Sequence, residues 1–187
     1  MGIDRKHITK LLSHALTATT LCGMGKHWAS EVTLNYGTAH PKRVDFMLFE
    51  PQNAMSISGI EKGIFTCYEI KSCIDDLYSG NGLNFVGERN YIVTTMQNYK
   101  DNLIGKEGET FGRWYMDNHK DDYNGYGIMV AVPAFRDMVD EFDNPTPLDD
   151  FSEDINQLSL RTIIPCYKGK RTRSMTELLF CMLRSGR

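Results

Sequence analysis

In the run Phe65-Thr66-Cys67-Tyr68-Glu69-Ile70-Lys71 an acid and a base stand two residues apart inside otherwise apolar sequence. Side chains alternate across a strand, so Glu69 and Lys71 share a face. A second carboxylate, Asp45, interrupts the run Arg43-Val44-Asp45-Phe46-Met47-Leu48-Phe49. An isolated carboxylate in apolar surroundings is costly or neutralises itself. Two carboxylates and one ammonium placed this way therefore satisfy one another or share a bound cation.

The order Asp, a gap of a few tens of residues, then Glu-x-Lys on the following strand resembles the signature of the PD-(D/E)xK phosphodiesterases, the restriction-endonuclease-like nucleases. Here it is Asp45 followed by Glu69-Ile70-Lys71, with Val44 where the family name has proline. The resemblance covers residues 25 to 135 as a core. It implies an α/β fold with a mixed central β-sheet flanked by α-helices. It also implies hydrolysis of phosphodiester bonds in DNA, with Mg2+ or Mn2+ as cofactor. Asp45 and Glu69 would hold the metal, the backbone carbonyl of Ile70 would add a ligand, and Lys71 would orient or help deprotonate the attacking water. Family members often carry a further metal-contacting acid near the first helix, and Glu31 lies in that region. An acid after the Glu-x-Lys strand also recurs in the family, and Asp76 stands there.

Hydrolysis of a phosphodiester at neutral pH needs a strong nucleophile and neutralisation of charge on the phosphate, and a divalent ion supplies both. Magnesium takes hard oxygen ligands and keeps several waters, so one or two carboxylates plus substrate phosphate suffice. Arginine at position 71 would serve poorly, because it does not give up its proton. The plain alternatives are a solvated Glu69–Lys71 pair on an edge strand, worth under about 1 kcal/mol, a surface acid at Glu31, and an ordinary helix-start acid at Asp76. A second functional reading keeps the fold without catalysis, as a nucleic-acid- or partner-binding protein of phage or mobile-element type.

Charge is distributed unevenly along the 187 residues, although the net value is only −3. Asp137, Asp140, Glu141, Asp143, Asp149, Asp150, Glu153 and Asp154 form an acidic stretch without a basic residue. The segment from Arg161 to Arg187 is basic, and Lys168, Lys170, Arg171 and Arg173, with Tyr167 beside them, are candidate nucleic-acid-binding residues. The five cysteines are odd in number and contain no C-x-x-C pair, which suggests neither a zinc ribbon nor a disulfide framework. His7, His14, His27, His40 and His119 have no zinc spacing. No apolar run is long enough to span a membrane and the N-terminus has no signal-peptide core. These features lead to an expectation of a cytoplasmic protein, without a membrane, forming one domain over 1–187 with a basic C-terminal helix. Oligomeric state is open from sequence, although cutting both strands of a duplex usually takes two sites, which favours a homodimer.

The positioning elements follow from periodicity. Ile8, Leu11, Leu12, Ala15 and Leu16 give residues 4–20 a helical stripe. Strands are expected around Trp28–Leu34, at the Asp45 and Glu69 runs, at Asn90–Thr95, at Tyr126–Pro133 and, at an edge, over Leu160–Pro165. Residues 51–63 suit a hairpin connection, Ser72–Tyr78 a short helix broken by Gly80-Asn81-Gly82, and Met96–Leu103 a helix. Ser174-Met175-Thr176-Glu177 is a capping box that opens the last helix. The polar, glycine-containing region after Leu103 and the acidic linker carry no predicted element.

Overall fold

A computed structural model describes residues 5–120, 123–148 and 157–185. Asp149, Asp150, Glu153 and Asp154 of the acidic stretch, and Arg187, lie outside the described residues. The fold is mixed α/β: a six-stranded sheet in sequential order, flanked by helices. Strands β1 (His27–Leu34), β2 (Lys42–Glu50) and β3 (Ile64–Ile70) form an antiparallel meander. Strands β4 (Arg89–Thr95) and β5 (Gly127–Pro133) continue it in parallel, and β6 (Leu158–Ile164) closes the far edge antiparallel to β5. All seven residues of β5 are buried, as the continuous apolar run requires of a strand with neighbours on both sides.

Each face of the sheet has its own core. Helix α1 (Arg5–Thr19) buries Ile8, Leu11, Leu12, Ala15 and Leu16 against Phe46, Leu48, Tyr68, Ile70, Val93 and Met129. On the opposite face Met47, Phe49, Phe65, Cys67, Ile92 and Val130 meet α4 (Met96–Asn102), α5 (Gly105–Asn118) and α7 (Met175–Arg184). Phe111 and Tyr115 of α5 are almost wholly enclosed there. The Ser174 hydroxyl accepts from the Glu177 N–H at 3.2 Å, so the cap read from the sequence is made.

Four expectations need correction. The connection over 51–63 contains a short helix, α2 (Ile57–Glu61), capped by Ser56. The region after Leu103 contains α5, whose Gly105, Gly108 and Gly112 disguise it, since glycine is a poor helix former. Within the acidic linker, Asp137 caps α6 (Met138–Asp143), accepting from the Val139 N–H. The C-terminal helix is not basic: α7 contains only Arg184 as a base, and the Lys168–Arg173 cluster precedes it in a segment outside helix and strand.

Candidate active site

The antiparallel register puts three acids in one row across three strands. Ser30↔Phe46 and Val32↔Val44 bracket Glu31 and Asp45 on β1 and β2. Asp45 and Glu69 fall one step beyond the Phe46↔Tyr68 pair of β2 and β3. That pair is the last of the β2–β3 ladder on this side; beyond it the Ile70 N–H donates to Asp45 Oδ2 at 2.8 Å. A side chain thus replaces the ladder carbonyl. Glu31 has φ +53, rare for a residue with a Cβ. The strand's alternation slips there, so that Ala29 and Val32, three residues apart, both join the same core.

Asp45, Glu69, Ile70, Lys71, Glu31 and Asp76 all line one cleft of about 1150 Å³. Glu69 is fully buried and Lys71 is 4% exposed. Glu69 Oε1 accepts from the Asn84 N–H at 3.3 Å, while Oε2 is buried and has no hydrogen-bond partner. Such an orphaned oxygen is costly unless something is bound to it. Burial first, and the neighbouring Asp45 charge second, push the Glu69 carboxyl up from 4.5 to about 8; Lys71 and backbone amides oppose this without cancelling it. Burial likewise raises the Asp45 carboxyl, against the Ile70 N–H and the Lys71 and Arg43 charges. Glu69, at about 8, keeps at neutral pH a proton that a cation can displace.

Lys71 is fixed at three points. Its N–H donates to the Val93 carbonyl at 2.9 Å, prolonging the β3–β4 pairing. Its own carbonyl accepts from Thr94 Oγ1 at 2.6 Å and, at 3.4 Å, from Asn98 Nδ2. Its ammonium donates to the Asn81 carbonyl at 2.8 Å. Gly82, at φ +82, brings the backbone so close that a Cβ there would stand 2.6 Å from Glu69 Oε2 and 2.9 Å from Lys71 Nζ. Only glycine accommodates both the dihedral and the approach. Comparison of the chain with family models, curated proteins and solved structures finds no match.

Asp76 is engaged at the cleft's edge. Its carboxylate takes the Arg5 guanidinium, through Nε at 3.1 Å and a second contact from Nη2, together with the Ser72 hydroxyl at 2.7 Å. Arg5 thereby ties α1 to the short helix α3 (Ile74–Leu77) that follows β3. Glu31 lines the cleft but is 59% exposed in its side chain and pairs with Arg43 at 2.6 Å. Among the described residues no group of three or more His, Cys, Asp or Glu side chains is gathered as a metal cage. Within the cleft the carboxylates of Asp45 and Glu69 offer hard oxygens of the kind that Mg2+ or Mn2+ accepts as ligands.

The C-terminal basic residues lie elsewhere. Arg171 reaches Glu88 at 3.1 Å and packs over the Phe65 ring, and Arg173 pairs with Glu177 at 3.2 Å. Lys168 and Lys170 are exposed. None of the four lines the cleft. The Gly169 and Thr172 N–H groups donate to the carbonyls of Glu88 and Val86, holding this segment beside Phe65, roughly 13 Å along β3 from Glu69. The cations that do line the cleft are Arg5, Lys42, Arg43, Lys71 and Lys120, with His119 between helix α5 and Lys120. Apart from Lys71, sequence reasoning missed them as a group, because they come from distant segments and form no run.

Proposed function

We propose that this protein is a metal-dependent nuclease that hydrolyses phosphodiester bonds in DNA, after the manner of the PD-(D/E)xK enzymes that its residues resemble. The observation that carries the reading is the unpartnered, buried Glu69 Oε2 beside Asp45 at the floor of a cleft with a cationic lining. Asp45 and Glu69 would hold Mg2+ or Mn2+, and Ile70, which also lines the cleft, would add its carbonyl. A divalent ion bound there supplies charge neutralisation and a more acidic water. Lys71, aimed by the Asn81 carbonyl, presents an ammonium to the attacking water and to charge developing on the phosphate. Lys42, Arg43 and Lys120 offer contacts to neighbouring phosphates. Glu31, opposite Asp45 in the β1–β2 register, would contact the metal through water if Arg43 turned toward a phosphate instead.

We place the activity in the cytoplasm, where the five cysteines, all free, would stay reduced. A homodimer would provide the second site needed to cut both strands of a duplex. No helix among the described residues is long and apolar enough to cross a membrane.

The decisive measurement is cleavage of single- and double-stranded DNA with Mg2+, with Mn2+ and with EDTA. Wild type is expected to cut only with metal, and Glu69→Gln and Lys71→Ala are expected to fold and not cut. Full cleavage by either variant would overturn the proposal. Tight DNA binding that ignores EDTA, with no cleavage under any condition, would instead mark a non-catalytic binding module.

A further inference from the structure

The segment Ser79–Asn84 runs along the cleft wall as a strap, and its contacts converge on the groups assigned to chemistry. The Asn81 carbonyl takes the Lys71 ammonium at 2.8 Å, and the Asn84 N–H reaches Glu69 Oε1 at 3.3 Å. The Asn84 side chain goes the other way: its Nδ2 donates to the Arg43 carbonyl at 2.7 Å, on β2 and two residues ahead of Asp45. Between these, Leu83 is 2% exposed and sits at φ +56, so a buried leucine anchors a backbone turn that few side-chain-bearing residues adopt.

Asn84 therefore bonds to both acid-bearing strands where they part. The β2–β3 ladder ends at Phe46↔Tyr68, and the gap beyond it is bridged by the Ile70–Asp45 bond and by Asn84. We infer that Asn84 is a positioning residue for the metal carboxylates: its amide fixes which oxygen of Glu69 faces the cleft, and its side chain sets the separation of β2 from β3. The inference rests on the nuclease reading. It assigns Asn84 no contact with substrate or water. Partners one step removed from a metal commonly change affinity by about 10- to 100-fold when lost.

Mn2+ titration by calorimetry on the DNA-free protein tests this without recourse to cleavage. Asn84→Ala is expected to weaken Mn2+ binding about 10-fold with little change in thermal midpoint, and Asn84→Gln, which keeps an amide donor, to recover most of the affinity. Asn84→Ser, whose hydroxyl is too short to reach the Arg43 carbonyl, should behave as alanine does and stands in if the alanine protein fails to fold. Wild-type affinity in Asn84→Ala or Asn84→Ser, or equal losses in the alanine and glutamine variants, overturns the inference while leaving the nuclease reading intact. Failure of wild type to bind Mn2+, or equal binding by Glu69→Gln, overturns the metal assignment itself and the inference with it.

Discussion

Replacing Glu69 with glutamine should make the metal-free protein more stable at alkaline pH, because wild type carries there a buried charge that the fold does not satisfy. Burial and the Asp45 charge raise the Glu69 carboxyl from 4.5 to about 8. A carboxyl that binds its proton more tightly in the folded state adds stability while protonated. Its contribution is complete below about pH 4.5 and lost as pH climbs through about 8. At about 1.4 kcal/mol per pH unit, the interval between those values caps the loss at about 5 kcal/mol. The strap offers a cheaper outcome. Three hydrogen bonds hold it, from Lys71 to Asn81, from Asn84 to Glu69 and from Asn84 to Arg43. Breaking them at about 1 kcal/mol each admits water to the carboxylate and limits the loss to about 3 kcal/mol. Asp45 is present in both proteins, so their difference reports Glu69 together with its coupling to Asp45. Urea unfolding in EDTA from about pH 5 to about pH 9 should show wild type losing about 3 kcal/mol relative to Glu69→Gln. This is about 6–12 °C in Tm for a chain of this size. Parallel pH profiles would refute the reasoning, since Glu69 would then be as well solvated in the folded protein as in the unfolded chain.

Two structural predictions accompany it. Thr94→Val removes the 2.6 Å bond to the Lys71 carbonyl in a buried position and should cost about 1–3 kcal/mol in urea unfolding, with a fall in cleavage rate as Lys71 loses one of its anchors. Leu12→Ala, at a wholly buried position of α1, should cost about 2–5 kcal/mol by the same measurement.

The strands were legible because their residues announce themselves: β-branched and aromatic runs at Asp45, Glu69 and Asn90 could be little else. Helix α1 was equally plain, its five-residue stripe being the set the structure buries. Helix α5 was hidden by its three glycines, and what holds it is tertiary, the enclosure of Phe111 and Tyr115 against the sheet. Asp45, Glu69 and Lys71 stood out as charges in apolar sequence, and they do line one cleft. The alignment of Glu31 with Asp45 depends on strand register and on a left-handed dihedral, neither of which composition reveals. In the sequence the strap shows only as the Gly80-Asn81-Gly82 break after a short helix, because two of its three bonds to the site and to β2 use backbone groups, on which residue type is silent. The C-terminal charges stand out for the opposite reason: a run is easy to see, whereas Arg5, Lys42 and Lys120 meet only after folding.

Helix α1 rests on β3, β4 and β6, so it leans on the strand of the sheet that lies farthest from it along the sequence. Asp45, Glu69 and Lys71 all precede Leu158–Ile164 in the sequence, yet the platform from which Arg5 grips Asp76 includes that later strand. On the nuclease reading, a copy without that strand would hold Asp76 less firmly at the cleft's edge.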